Sequence, residues 1–141
     1  MEINLDNGFE RTSRYYFWIS GFATASLTWI PALLPVRGLA LILGLSYYDQ
    51  SPQIFPIVGH WGIMVFGIGI LLIAAGRNKA LRKASVIYAI VEKAYMVAVV
   101  AYLLAVRAPF AINYLPLGIA DALMVAGGVW YLVQSRKRGQ L

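Results

Sequence analysis

The sequence contains no cysteine and a single histidine, His60. Without cysteine the chain cannot form a disulfide, a thiolate nucleophile, an iron–sulfur cluster or a cysteine-ligated zinc site. One histidine excludes a haem held by two histidines of the same chain. A His-Glu-x-x-His motif, a carboxylate-rich metal cage and a phosphate-binding glycine loop are also missing. The sequence therefore predicts no metal site, and it leaves any cofactor unassigned.

Charged residues are scarce as well: they make up 13% of the 141 residues, whereas 60% are hydrophobic. Soluble domains average about 25% charged and about 45–50% apolar residues. With a mean hydropathy of +0.69, the chain has more apolar surface than one small core can bury, so lipid is the expected solvent. The net charge of +6 comes from basic residues in short hydrophilic segments. This pattern is typical of membrane edges and does not favour nucleic-acid binding.

Four apolar segments reach the length of about 20 residues that a helix needs to cross a bilayer. A fifth, Gly38–Tyr48, would extend about 16 Å as a helix and is expected to be interfacial or re-entrant. Pro31 is expected to kink or end the first helix. The sequence thus predicts an all-α, four-helix transmembrane bundle with a short interfacial or re-entrant segment after helix 1, all within one integral membrane domain (residues 1–141). The predicted spans are Tyr15–Leu34, Ile54–Ala75, Ala84–Val106 and Leu117–Val133.

The distribution of lysine and arginine predicts the orientation of these spans. Nine basic residues fall on the side that holds both termini, and two, Arg37 and Arg107, fall on the other side. Basic residues are enriched in cytoplasmic loops, so both termini are expected in the cytoplasm and the protein in an inner membrane. The nine are Arg11, Arg14, Arg77, Lys79, Arg82, Lys83, Arg136, Lys137 and Arg138.

Each predicted span carries small residues at helical spacing, which allow transmembrane helices to approach closely. These rows favour a compact four-helix bundle. They are compatible with packing inside one chain or with the seam of a homo-oligomer. The rows are Gly21 and Ala25 in the first span, Gly59, Gly62, Gly67 and Gly69 in the second, Ala94, Ala98, Ala101 and Ala105 in the third, and Gly118, Ala122 and Ala126 in the fourth.

Four ionisable residues lie at membrane depth. Counted from the inner ends of the spans, Glu92 and Lys93 lie about 12–14 Å deep, and Asp121 and His60 about 20–22 Å deep. A charge at the centre of a spanning helix costs on the order of 2.5–3.5 kcal/mol on insertion scales, so each should face protein, water or a ligand. Adjacent helical residues point about 100° apart, so Glu92 and Lys93 are expected to need separate partners.

The long stem of Lys93 predicts an interhelical ion pair with Asp121. Glu92 shares a helix face with Tyr88 and Tyr95, whose hydroxyls, or His60, would satisfy its carboxyl group. Two interpretations remain open for this cluster. It forms a ligand or proton site in the outer half of the bundle, or it forms an ion pair that fixes the packing register. The candidate ligand-binding residues are Glu92, Lys93, Asp121, His60, Tyr88 and Tyr95.

The stretch from Gly59-His60-Trp61-Gly62 through the basic connection to Glu92-Lys93-Ala94 resembles the DoxX-like group of small bacterial membrane proteins. The order of parts is also similar, since Asp121 lies early in the fourth span and a basic tail follows it. The resemblance covers most of the chain from about Tyr15. It implies a four-helix bundle, and some members of the group are linked to quinone-coupled sulfur oxidation.

Three functions remain compatible with the sequence. The first is binding of a small lipophilic or amphipathic ligand, quinone- or isoprenoid-like, by the intramembrane polar cluster. The second is a non-catalytic accessory subunit of a larger membrane complex. The third is an enzyme that modifies a lipid. The lipid bilayer is the expected partner in each case, together with a ligand, a second copy of the chain or a larger complex.

Overall fold

The computed structural model describes residues 5–44 and 52–139, which contain five α-helices and no strand. A 3₁₀ turn at Pro52–Ile54 precedes the third helix. The all-α prediction is therefore confirmed for the described part of the chain. The helices are α1 (Leu5–Leu33), α2 (Pro35–Leu43), α3 (Phe55–Arg77), α4 (Lys79–Ala105) and α5 (Ala111–Lys137).

Three of these helices, α3, α4 and α5, are long and apolar enough to cross a membrane. They contain the predicted second, third and fourth spans except for Ile54, which precedes α3, and Val106, which follows α4. Helix α1 has 29 residues but is not among the candidates, because its apolar part carries the hydroxyl groups of Ser20, Thr24, Ser26 and Thr28. The described residues thus support a membrane protein with three candidate spans.

Helix α1 packs antiparallel along α3 through glycines. A Cβ atom at Gly69 would lie 2.6 Å from the backbone nitrogen of Ala25, and one at Gly62 would lie 2.5 Å from the nitrogen of Ala32. A Cβ at Gly21 would lie 2.8 Å from the carbonyl oxygen of Gly69. Small residues of the first two apolar segments therefore pack against each other. This packing brings the two backbones as close as their atoms allow.

Two prolines set the turn after α1. The helix ends at Leu33, two residues beyond Pro31, and Pro35 occupies the first turn of α2, where proline needs no hydrogen-bonded N–H. Helix α2 has nine residues, too few to span, and Gly44 caps it in the left-handed conformation at φ 65°. The predicted interfacial or re-entrant segment Gly38–Tyr48 is helical through its first six residues, and its residues 45–48 lie outside the described part.

Helices α3 and α4 are joined by Asn78, whose side chain accepts a hydrogen bond from the backbone N–H of Ala80 and so caps α4. Helix α5 returns antiparallel to α4. A core cluster near the ends of α3 and α5 includes the fully buried Phe17 and Leu72 and the largely buried Tyr131. Four long helices thus surround one core, and α2 covers its opposite end.

The alanine row of α4 does not form a close helix contact of the kind seen between α1 and α3. All four of its members are exposed on the surface of the single chain. In α5, Gly118 is buried against Val100, whereas Ala122 and Ala126 are exposed. Packing within one chain therefore explains Gly21 and Ala25 of α1 and Gly62 and Gly69 of α3. It does not explain Gly67, which is exposed, or the row Ala94, Ala98, Ala101 and Ala105.

Candidate functional site

Lys93 of α4 and Asp121 of α5 form an ion pair in the seam between these two helices. The ammonium nitrogen lies 3.3 Å from Asp121 Oδ1, and the two residues are 5% and 2% exposed. The predicted Lys93–Asp121 pair is thus confirmed. Both charges are kept away from the outer surface of the bundle, where acyl chains would lie.

Glu92 completes a charge triad with Lys93 and Asp121. Its Oε2 atom lies 3.1 Å from Lys93 Nζ, so the expectation that these neighbours need separate partners is wrong. Their Cβ atoms diverge around the helix, but the flexible stems bring the head groups together. Glu92 Oε2 is inaccessible, yet it receives no hydrogen bond of good geometry. The triad therefore places one ammonium between two carboxyl groups and leaves an acceptor unsatisfied.

Two adjoining cavities lie next to the triad. The Glu92 groove, of about 380 Å³, is lined by Glu92 together with Trp61, Tyr88, Val91, Tyr95 and Met96. The apolar cavity, of about 260 Å³, is lined by residues from all five helices, including Leu39 of α2 and Leu117 of α5. Trp61, Tyr95 and Met96 line both. Glu92 thus lies in the wall of a groove that adjoins an apolar cavity.

The tyrosines and the histidine depart from the sequence-based expectation. Tyr88 and Tyr95 line the Glu92 groove, but they are 49% and 72% exposed, and within the described residues neither hydroxyl bonds to Glu92. His60 is exposed on α3 and lines neither cavity. Because adjacent helical residues point about 100° apart, Trp61 faces the cavities and His60 does not. The structure therefore groups Glu92, Lys93 and Asp121, but leaves His60 outside this cluster.

A second polar cluster, at the other end of the bundle, was not anticipated from the sequence. Arg82, expected in the hydrophilic connection, is buried within α4. Its guanidinium donates two hydrogen bonds of 2.8 and 2.9 Å to the Glu10 carboxylate and one of 2.9 Å to the carbonyl oxygen of Ala75. Lys79 Nζ lies 3.2 Å from Glu10 Oε2. Arg82 thereby ties α1, α3 and α4 together.

The Arg82 guanidinium, through these hydrogen bonds, lowers the pKa of Glu10 from 4.5 to about 2. Partial burial of the carboxyl group opposes this effect, and the nearby Lys79 adds to it. The sequence gives no local signal for this contact, because the two partners are 72 positions apart and each looks like an ordinary surface charge.

Comparison with protein-family models, curated proteins and solved structures finds no match to this chain. Within the described residues, no group of three His, Asp or Glu side chains is arranged to hold a metal ion. The chemistry of the site is therefore argued from its own geometry. That geometry combines a buried charge triad, an acceptor oxygen without a hydrogen bond and an adjoining apolar cavity.

Proposed function

We propose that this protein binds a small lipophilic or amphipathic molecule, quinone- or isoprenoid-like, in the Glu92 groove and the apolar cavity next to it. The observation that carries the proposal is the Glu92 carboxyl group, which lies in the wall of a groove that adjoins the cavity. Its Oε2 atom is inaccessible and contacts Lys93 Nζ at 3.1 Å without a hydrogen bond of good geometry, while the side chain as a whole is 21% exposed. Buried polar atoms are rarely left without a partner, and such exceptions call for an explanation. A bound ligand would donate a hydrogen bond to the part of the Glu92 carboxyl group that is open to the groove.

The size and polarity of the two cavities fit such a ligand. About 150 Å³ is enough for a benzene ring in a protein interior, and the apolar cavity measures about 260 Å³. A ring or isoprenoid segment would occupy this cavity, and a hydroxyl group of the ligand would donate to Glu92. Lys93 would offset the carboxylate charges of Glu92 and Asp121. Tyr95 and Trp61, at the junction, would contact the ligand between its polar and apolar parts.

The proposal includes a membrane frame of four spans in an inner membrane, with both termini in the cytoplasm. Helix α1 supports this frame because it lies along α3, a candidate span, from Trp18 at Gly76 to Ala32 at Gly62. A helix that follows a spanning helix over this length would cross the bilayer with it. The excess of basic residues on one side supports the orientation. We propose membership of the DoxX-like group on the same basis, as a resemblance in the order of parts.

The test is mass spectrometry of the organic extract of the detergent-purified protein. We expect a defined small molecule at close to one per chain in the wild type and a loss of at least tenfold in Glu92→Gln. Tyr102→Phe is the matched control, because Tyr102 lies on the same helix, is 66% exposed and lines neither cavity. Equal ligand content in Glu92→Gln and the wild type would refute the proposal.

Two tryptophan substitutions, one inside the cavities and one outside them, distinguish loss of ligand binding from general damage to the fold. Met96→Trp would fill the space shared by the two cavities and should also remove the ligand. Leu123→Trp adds the same ring at a position that is 70% exposed on α5, and it should retain the ligand. Both variants should elute as monodisperse species, which shows that the fold survives.

The exposed alanine row of α4 favours a second candidate function, that of a non-catalytic accessory subunit. Small residues at a spacing of three or four positions let another transmembrane helix approach closely. A partner helix would then cover Ala94, Ala98, Ala101 and Ala105. Ala98→Leu would break a heteromeric complex isolated in mild detergent, whereas Ala122→Leu on α5 would not. Purification of the wild type as a single species without a partner would contradict this candidate.

A further inference from the structure

A third cavity, of about 320 Å³, lies on α1 and shares no lining residue with the Glu92 groove or the apolar cavity. It is lined by Glu10, Arg11, Arg14, Tyr15 and Trp18, which we call the α1 basic cavity. Arg11, Arg14, Tyr15 and Trp18 share one face of the helix, because they are spaced by three, four and seven positions. Both arginines and Tyr15 are exposed, and Trp18 is partly exposed.

Apart from Glu10, the charged and polar groups that line this cavity can donate hydrogen bonds. They are the guanidinium groups of Arg11 and Arg14 and the phenol of Tyr15. The Arg11 guanidinium lies over the Tyr15 ring at 5.8 Å, and Arg14 lies 4.0 Å from Glu10 at an exposed position. Neither contact is a hydrogen bond to the planar fork of N–H groups with which arginine binds oxyanions.

The acidic residue in the cavity does not cancel this positive charge. Both Glu10 oxygens accept hydrogen bonds from Arg82 at 2.8 and 2.9 Å, and Lys79 lies 3.2 Å away. Glu10 is therefore already matched by two cations that lie outside the lining. The charges of Arg11 and Arg14 remain available to an anion.

The cavity lies at the level where a candidate membrane span ends. The Trp18 ring packs against Gly76 in the last turn of α3, and Arg77 ends that helix. Tryptophan and tyrosine are enriched at the membrane–water interface, where lipid headgroups lie. We propose that the α1 basic cavity binds the phosphate of an anionic phospholipid headgroup. Arginine forks match phosphate oxygens, and the Tyr15 hydroxyl adds a neutral donor.

The experiment measures the thermal midpoint of the purified full chain in detergent with three additives at equal concentration. They are short-chain phosphatidylglycerol, short-chain phosphatidylcholine and inorganic phosphate. A ligand that binds the folded state raises the midpoint, by about 4 °C at tenfold excess over its dissociation constant. We expect this rise with phosphatidylglycerol, and less than about 1 °C with the other two.

Charge-neutral variants locate the site. Arg11→Gln/Arg14→Gln should abolish the rise with phosphatidylglycerol. Arg136→Gln/Lys137→Gln is the matched control, because it removes two exposed positive charges from the basic tail near the same end of the bundle, and it should retain the rise. If the first double variant does not fold, Arg11→Gln alone should cut the apparent affinity about tenfold, since Arg11 forms no ion pair within the described residues.

Each other result would overturn the proposal. An equal rise with phosphatidylcholine would mean that headgroup charge is not recognised. A rise with inorganic phosphate as large as that with phosphatidylglycerol would assign the cavity to free phosphate instead of lipid. A rise that survives the arginine substitutions but disappears in Arg136→Gln/Lys137→Gln would move the site to the basic tail.

Discussion

At the scale of single residues, Lys93 lies between two carboxyl groups, and this arrangement predicts unequal effects of neutralising its members. Lys93→Met would leave Glu92 and Asp121 without their cation, which should lower the free energy of unfolding by about 3–5 kcal/mol. Asp121→Asn would leave Lys93 paired with Glu92 at 3.1 Å and should cost about 1 kcal/mol. Unfolding in mixed detergent and dodecyl sulfate micelles, followed by circular dichroism, measures both. Equal costs would show that Glu92 does not share the ammonium.

At the other end of the bundle, the contact between Glu10 and Arg82 predicts that the stability of the fold depends on pH. Since Arg82 lowers the pKa of Glu10 from 4.5 to about 2, the folded state favours the ionised carboxylate. Its stabilising contribution is complete above pH 4.5 and is lost as the pH falls towards 2. The thermal midpoint of the wild type should therefore drop through this window. The thermal midpoint of Glu10→Gln should be lower than that of the wild type at pH 7, and it should fall less on acidification. Parallel curves of thermal midpoint against pH for the two proteins would contradict this role of Glu10.

Some of these residue contacts were predictable and others were not. The Lys93–Asp121 pair follows from a long stem and two buried charges that need partners. The Glu92–Lys93 contact was missed because Cβ directions alone do not fix where flexible head groups meet. The Glu10–Arg82 contact depends on how α1 packs against α3 and on the turn that brings the start of α4 back beside α3, and neither residue shows by itself that it is buried or paired. Helical periodicity cannot supply that information.

At the scale of helices, the contact between α1 and α3 predicts a sharp difference between two glycines of α3. Gly69→Ala would place a Cβ atom 2.6 Å from the Ala25 nitrogen, so the backbones must separate, at a cost of about 1–3 kcal/mol. Gly67 has no atom within 4 Å of such a Cβ, and Gly67→Ala should be neutral or stabilise the helix by up to about 1 kcal/mol. Unfolding in mixed micelles compares the two. Equal stability of the variants would mean that α1 does not contact α3 at Gly69.

The helices were predictable to different degrees because different forces set their limits. Pro31 and Pro35 mark the end of α1 and the start of α2 through backbone chemistry, and the long apolar runs mark α3, α4 and α5. Helix α1 extends ten residues upstream of its apolar run, since its charged first turns are held by Arg82 and by packing of Phe9. The exposed alanines of α4 could not be assigned from sequence, because small residues have the same spacing on buried and exposed faces.

At the scale of the whole molecule, the charge triad and the α1 basic cavity divide the protein into an intramembrane site and an interfacial site. The first would bind the hydrogen-bonding head of a ligand in apolar surroundings, and the second would bind the charged headgroup of a lipid. The Arg82 contacts to Glu10 and Ala75 lie between α1 and the start of α4, the helix that carries Lys93. These contacts join α1 to α3 and to the helix that carries the triad.

The four-span frame predicts that both ends of the chain lie on one side of the membrane. The cysteine-free sequence makes this measurable, because each introduced cysteine is then the single target of a membrane-impermeant maleimide. Gly8→Cys and Lys137→Cys should be labelled only after bacterial host cells are permeabilised, whereas Gln53→Cys and Asn113→Cys, at exposed positions, should be labelled in intact cells. If α1 did not cross the bilayer, Gly8→Cys and Gln53→Cys would label alike. That pattern would show that α1 is not a membrane span, and it would leave the assignment of α3, α4 and α5 as spans unchanged.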